Sequence, residues 1–296
     1  MKYLSSRRGI ILAGGNGTRL APITSAISKQ LIPVYDKPMI YYPITTLMLC
    51  GIRDILIVTN PNSVELFKAL LGNGDKWGVN FSYAIQNKAE GVAHAILVAE
   101  KFIKNSNIAI ALGDNLFHGN DLVNLLRSAD KRIKGGSIFA YPVSDPRNYG
   151  VVQFDKEGNI LDIEEKPDNP LSQYAITGLY FYDNSAFERI KELRFSPRGE
   201  LEITSLNNHY LNQNLLNVEI MGRGMAWLDT GSFNSLQDAS GYIRTLEQRQ
   251  GLKVGCPEEA AWRQGWIDDK CLENLAFSLM NSGYGEYLLM LLKGLK

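Results

Sequence analysis

The stretch ILAGGNGTRLAPITSAISKQLIPVYDKP, residues 11–38, decides the reading of the fold. In it an apolar run stops at Gly14-Gly15-Asn16-Gly17, and two cations follow, Arg19 and Lys29. Three glycines in four residues mark a backbone that turns sharply or lets another group come close. The cations just beyond make that group an anion. The apolar run GIILAG (9–14) is then a first β-strand, and its carboxyl end is where open α/β sheets present ligand-binding residues.

Working outward, short apolar runs alternate with amphipathic ones. DILIVTN (54–60), NFSYAI (80–85), NIAIALGD (107–114) and SIFAYPV (137–143) predict strands, and 38–50, 63–71, 91–103 and 120–134 predict helices. That alternation gives an α/β fold, a Rossmann-like, mostly parallel central sheet with helices on both faces. Asn62 and Glu65 have the spacing of a capping box, and Gly51 stands where a left-handed helix cap is expected. The middle changes character: GVVQFD and ILDIEEKP flank the turn KEGN as a hairpin over 150–167, and YAITGLYFYD (174–183) is a further strand. An antiparallel layer is therefore inserted or appended. From about Ser232 the chain reads as a helical appendage, with no repeat or linker-like tract before it.

A chain of 296 residues, 45% of them hydrophobic, supports a substantial core without staples. Its 31 basic and 31 acidic side chains cancel, so no global field draws it to nucleic acid or to an anionic membrane. Any anion site must be local. Cys50, Cys256 and Cys271 are odd in number and lack metal-ligand spacing, which fits a reducing cytoplasm. GIILAGG is too short for an export signal, and YLLMLL falls far below the ~20 apolar residues of a membrane span.

The glycine loop fails two tests. A P-loop needs Lys directly after its last glycine, where Thr18 and Arg19 stand; a dinucleotide-binding loop needs glycine at position 20, which is Leu20, and an acid where the second strand ends Val58-Thr59-Asn60. A plain strand-to-helix turn remains open, beside a backbone cradle for a triphosphate with Arg19 as a bidentate cation and Lys29 as a second charge. ALGDN (111–115) puts Asp114 past the end of an apolar strand, and WLDTG (227–231) puts Asp229 in a similar setting. Each is either a turn residue or, with the cradle, half of a carboxylate pair for Mg²⁺. In EEKP (164–167), Glu165 and Lys166 point to opposite faces of a regular strand, unless the proline bend turns both toward a site. Gln86 ends a strand before Gly91, and its amide can both donate and accept, the pairing that a thymine or uracil edge presents. His94, His118 and His209 show no triad spacing and read as ordinary histidines.

LAGGNGTRLAPITSAISKQLIPVYDKPMIYYP resembles the signature of the sugar-1-phosphate nucleotidyltransferases, and within them most the glucose-1-phosphate thymidylyltransferases. The resemblance extends from Gly9 to about Gly265. It implies a Mg²⁺-dependent enzyme that joins dTTP and α-D-glucose 1-phosphate into dTDP-glucose and pyrophosphate, the first step toward dTDP-deoxysugars such as dTDP-rhamnose. It further implies nucleotide contacts at Leu12, Gly14, Gly15, Gly17, Thr18, Arg19, Gln30, Gln86, Gly91 and Asp114, with Gln30 at the deoxyribose. Metal falls to Asp114 and Asp229, catalysis to Arg19, Lys29 and Lys166. Asn115, Tyr149, Gly150, Glu165, Lys166 and Ile176 match the sugar-phosphate contacts, so the hairpin layer becomes a sugar-binding one.

On this reading residues 1–240 form the transferase core and 241–296 a helical segment for oligomer and effector contacts. The apolar stripe Leu272, Leu275, Ala276 and Leu279 packs either on its own core or in part on another subunit of a homotetramer, which the family implies. Arg263, between Trp262 and Trp266, is the effector-site residue expected to hold a diphosphate. Rivals are a hydride-transferring dinucleotide enzyme, a non-catalytic nucleotide-sugar sensor, and a UTP-dependent uridylyltransferase making UDP-glucose.

Overall fold

The computed structural model describes residues 3–88 and 90–294. In chain order the elements begin β1 (Arg8–Ala13), β2 (Pro33–Val34), β3 (Lys37–Pro38), α1 (Tyr41–Leu49), β4 (Asp54–Thr59), α2 (Val64–Leu71), β5 (Asn80–Ile85), α3 (Val92–Val98), α4 (Glu100–Ile103), β6 (Ile108–Leu112), β7 (Asn115–His118) and α5 (Leu122–Lys131). They continue β8 (Gly136–Pro142), β9 (Gly150–Phe154), β10 (Ile160–Glu165), β11 (Tyr174–Tyr182), α6 (Ala186–Lys191), α7 (Ile203–Leu211), β12 (Leu216–Ile220), β13 (Ala226–Asp229), α8 (Phe233–Gln250), α9 (Pro257–Gln264), α10 (Asp269–Ser278) and α11 (Tyr284–Leu292).

A nine-stranded mixed sheet runs β10-β9-β11-β6-β1-β4-β5, with β8 also paired to β11 and β12 to β8. β6, β1, β4 and β5 are parallel neighbours, and β11 joins β6 antiparallel. The strands are apolar on both faces because both faces are covered. Ile11, Ile55, Ile57, Ala109, Ala111, Phe139 and Phe181 face one core, shared with Ile44 and Leu47 of α1, Phe67 of α2, Leu126 of α5 and residues of α9–α11. Their neighbours Ile10, Leu56, Val58, Ile108, Ile110, Ile138, Tyr180 and Tyr182 face the other, shared with Ile96 of α3, Ile190 of α6 and Leu206 and Tyr210 of α7. The period of two along each strand sorts the residues between the cores.

The parallel units and the hairpin stand where the sequence predicts them, and Gly51 has the expected positive φ of 80°. Two expectations are corrected. The helix over 91–103 breaks at Ala99 into α3 and α4, and α2 is preceded by Ser63 with no side-chain cap, so Asn62 and Glu65 form no capping box. The C-terminal helical stretch is four helices, each interrupted where a glycine or a polar cap ends a turn; Ser232 and Ser235 make the capping box that opens α8. In α10, Leu272 and Ala276 are fully buried, and Leu275 and Leu279, partly buried, pack against the same core. Lys37, after the short β2, holds Glu247 of α8 at 2.8 Å in a buried pair that Lys253 completes at 3.1 Å.

Candidate active site

One cleft of about 800 Å³ opens at the carboxyl ends of β1, β5 and β6, where the hairpin layer meets the parallel strands. β1 delivers Gly14, Gly15 and Arg19; β5 delivers Gln86; β6 delivers Asp114. The opposite wall comes from Tyr149 and Gly150 at the start of β9, Glu165 at the end of β10 and Ile176 in β11. Leu12, Gln30, Gly91, Asn115, Lys166 and Asp229 also line it. Gly17, Thr18 and Lys29 do not, and Arg263 lies elsewhere.

The departures of Gly17 and Lys29 have local causes. Gly17 turns the chain in the left-handed region, φ 58°, and a Cβ there would meet Thr24 Cγ2 at 2.8 Å, so this glycine shapes the loop from behind. Lys29 is buried, and its ammonium pairs with Asp114 Oδ2. A cation already occupies one carboxylate oxygen that the sequence reading reserved for metal. Asp114 Oδ1 accepts from Asn115 Nδ2 at 2.9 Å, and Asp229 lies directly across the β7–β13 pair from Asn115. Burial and the neighbouring Asp114 charge push the Asp229 carboxyl up to about 6, against the pull of Lys29 and Arg19. Two crowded carboxylates, one of them resisting ionisation, are a donor set that a hard divalent cation fits. Among the described residues no group of three or more His, Cys, Asp or Glu side chains joins them, so further ligands would be phosphate oxygens and waters.

At the hairpin, Lys166 breaks the strand alternation with φ 48° just before the buried Pro167. That left-handed residue is why Glu165 and Lys166 reach the same cleft. Glu165 is gripped: Thr204 donates to Oε2 and Arg198 Nη2 to Oε1 at 3.0 Å. Asn115 Oδ1 accepts from Trp227 Nε1 at 2.5 Å and from the Gly178 amide at 3.1 Å; a Cβ on Gly178 would meet that oxygen at 2.6 Å. Thr177, Gly178, Glu202, Thr204 and Trp227 are cleft residues that sequence reasoning missed. Trp227 alone carried a signal, since it sits in WLDTG two residues before Asp229.

Arg263 lines a smaller cavity of about 270 Å³ with His118, Lys253, Gly255 and Glu259. Its guanidinium donates to Glu259 Oε1 at 2.7 Å and lies over Trp262, whereas Trp266 packs under Arg53 instead. The expected flanking pair of aromatic planes is thus one plane.

The family described as nucleotidyl transferase matches residues 8–245. A glucose-1-phosphate thymidylyltransferase of Mycobacterium tuberculosis (strain CDC 1551 / Oshkosh) is 57% identical over 286 residues, 97% of this chain and 99% of that one. Among solved structures, a putative glucose-1-phosphate thymidylyltransferase from Bacillus anthracis in complex with a sucrose is 41% identical, covers 80% of this chain and 95% of that chain, and superposes with a TM-score of 0.75. A UDP-glucose pyrophosphorylase complexed with UDP-glucose is similar at 26% identity, 81% and 99% coverage and a TM-score of 0.72. The chain belongs to the nucleotidyl transferase family, among the glucose-1-phosphate thymidylyltransferases. That membership, rather than the fold, displaces the dinucleotide-dehydrogenase rival.

Proposed function

We propose that the chain transfers the thymidylyl group of dTTP to α-D-glucose 1-phosphate, releasing pyrophosphate and forming dTDP-glucose. A phosphate oxygen of the sugar phosphate attacks the α-phosphorus in line, and the bond from that phosphorus to the β-bridging oxygen breaks with its electron pair leaving on pyrophosphate. No covalent nucleophile is needed, so the work is positioning and charge neutralisation. Gly14 and Gly15 admit the triphosphate, and Arg19 meets the charge that grows on the leaving group. Lys29, released from Asp114, adds a second charge there. Lys166 seats the attacking phosphate, while Glu165, Asn115, Tyr149 and the backbone at Gly150 and Ile176 hold sugar hydroxyls. Gln30 keeps its Nε2 for the deoxyribose, because its Oε1 already accepts from Ser28 Oγ at 2.8 Å. Asp114 and Asp229 would hold Mg²⁺, which when bound neutralises phosphate charge.

The observation that carries this reading is the gathering of glycine loop, Arg19, Gln86, both aspartates, Glu165 and Lys166 around one cleft. The 57% identity to a thymidylyltransferase against 26% to a UDP-glucose pyrophosphorylase favours dTTP over UTP. The product is an activated sugar suited to enzymes that rework its glucose ring, dTDP-rhamnose synthesis among them. Among the described residues no helix is long and apolar enough to cross a membrane, in keeping with action on dissolved substrates. A panel of nucleoside triphosphates with glucose 1-phosphate and Mg²⁺, products identified by mass, tests it. dTDP-glucose should dominate; the absence of pyrophosphate with every triphosphate overturns the transferase reading and leaves the sensor.

A further inference from the structure

Gln86 is buried at the end of β5 and reaches the cleft, and both of its amide hydrogens are used inside the protein. Its Nε2 lies 3.0 Å from His94 Nδ1 and faces the Gly91 carbonyl oxygen at 3.5 Å. Only the nitrogen end can face a carbonyl oxygen, since two acceptors repel. That fixes the amide, so His94 Nδ1 accepts and the ring proton sits on Nε2, which faces Glu90 Oε2 at 3.2 Å. The remaining atom, Gln86 Oε1, points over the bare Cα of Gly14, where a Cβ would come within 3.1 Å of it. What reaches the cleft is therefore an acceptor only, not the two-way amide that the sequence suggests.

We infer that the chain Glu90–His94–Gln86 makes Gln86 a reader of a base N–H, so that His94 is a positioning residue that selects thymine or uracil, whose N3 donates, over cytosine, whose N3 accepts. This rests on the reading of Gln86 as the residue that meets the base. His94 itself does not line the cleft and acts through Gln86. Removing its acceptor frees one amide hydrogen and leaves only the long 3.5 Å contact with the Gly91 carbonyl, too weak by itself to stop the Gln86 side chain from turning over, so that it donates to cytosine as readily as it accepts from thymine. An unmade or misdirected hydrogen bond of this kind changes selection, while the phosphates are held as before.

The test is equilibrium binding of dTTP and of dCTP, in magnesium buffer without sugar phosphate, to the intact wild type, His94→Ala and His94→Asn. Asn places Oδ1 where the histidine has Nδ1, and so restores the acceptor without the ring. The expected result is a dTTP preference in the wild type that narrows ~10-fold in His94→Ala and returns to within about threefold in His94→Asn. An unchanged preference in His94→Ala, or an equal loss in both variants, overturns the inference. Equal weakening of both nucleotides with a lowered thermal midpoint also overturns it, assigning His94 to the packing of α3. Because binding is the readout, the parent reading fails separately: a wild type that prefers dTTP and shows the expected variants, yet releases no pyrophosphate with glucose 1-phosphate, loses only the transferase assignment.

Discussion

The two ends of the cleft are assembled in different ways. At the glycine-loop end, Gly14, Gly15 and Arg19 come from one short stretch after β1, and Gln86 and Asp114 each follow a strand of the parallel sheet. At the hairpin end, Glu165 depends on Thr204, 39 residues away, and on Arg198, 33 away, and Asn115 depends on Trp227, 112 away. At the first end Arg19 is exposed and makes no ion pair among the described residues. The second is a network already satisfied within the protein. A group that waits for charge acts on the reacting atoms, whereas a network acts on where the substrate sits, so the same loss of one hydrogen bond should be read in different constants at the two ends.

The largest effect is expected from Arg19→Ala. Removing a preorganised donor from developing negative charge lowers kcat ~10²-fold or more, with the fold intact because the side chain is exposed. Steady-state rates with dTTP and glucose 1-phosphate measure it. Near-normal turnover would erase the distinction between the two ends.

Between the ends stands Asp229, and its effect is on stability. Its carboxyl is raised from an ordinary 3.8 to about 6 by burial and by Asp114. The sign follows from linkage: the folded state favours the protonated form, so this contribution is full below about pH 4 and is lost as pH rises through 6. Asp229→Asn lacks the ionisation, and without divalent cation should be more stable than wild type at pH 7.5 by on the order of 1–3 kcal/mol. The advantage should shrink toward pH 4.5. Thermal unfolding in chelator at both pH values checks it, and a difference independent of pH would mean that Asn gains by packing alone. Turnover by the same variant should fall and its Mg²⁺ requirement rise.

Thr204→Val sharpens the contrast at the hairpin end. Valine keeps the buried volume but removes the hydroxyl that donates to Glu165, leaving Arg198 to hold the carboxylate. One such bond is worth ~10-fold, expected in KM for glucose 1-phosphate with kcat little changed and KM for dTTP unmoved. A matching rise in both KM values would show that the ends are not separable.

How far the sequence could be read follows the same division. The parallel units were legible because each strand is a continuous apolar run ended by a turn residue, and the glycine loop because its cations lie in the same stretch. Glu165 and Lys166 were legible as a pair but not in geometry: regular alternation separates them, and only the positive φ of Lys166 brings them together. Thr204, Gly178 and Arg198 carry no local mark, since their roles exist only once β10, β11 and α7 have packed. His94 was passed over for a similar reason. Its partner is 8 residues away across a loop, and helix periodicity does not link the end of β5 to the first turn of α3.

The smallest effect on turnover is expected where a cation lines a cavity but is already paired. Arg263 faces the second cavity with Glu259 bound to it at 2.7 Å, so its charge is largely compensated, unlike that of Arg19. Lys253, in the same lining, is likewise engaged, by Asp36 and Glu247. An anion entering this cavity must therefore compete with carboxylates for both cations, which makes it a poor place for a reacting triphosphate. Arg263→Ala should leave kcat and both KM values within about twofold of wild type, the range of an exposed ion pair. If a nucleoside diphosphate sugar binds there, the variant should also lose inhibition by dTDP-rhamnose. Assays with and without that compound separate the two cavities: a fall in basal turnover comparable to that of Arg19→Ala would make the second cavity part of the first, and unchanged inhibition would leave Arg263 a surface partner of Glu259.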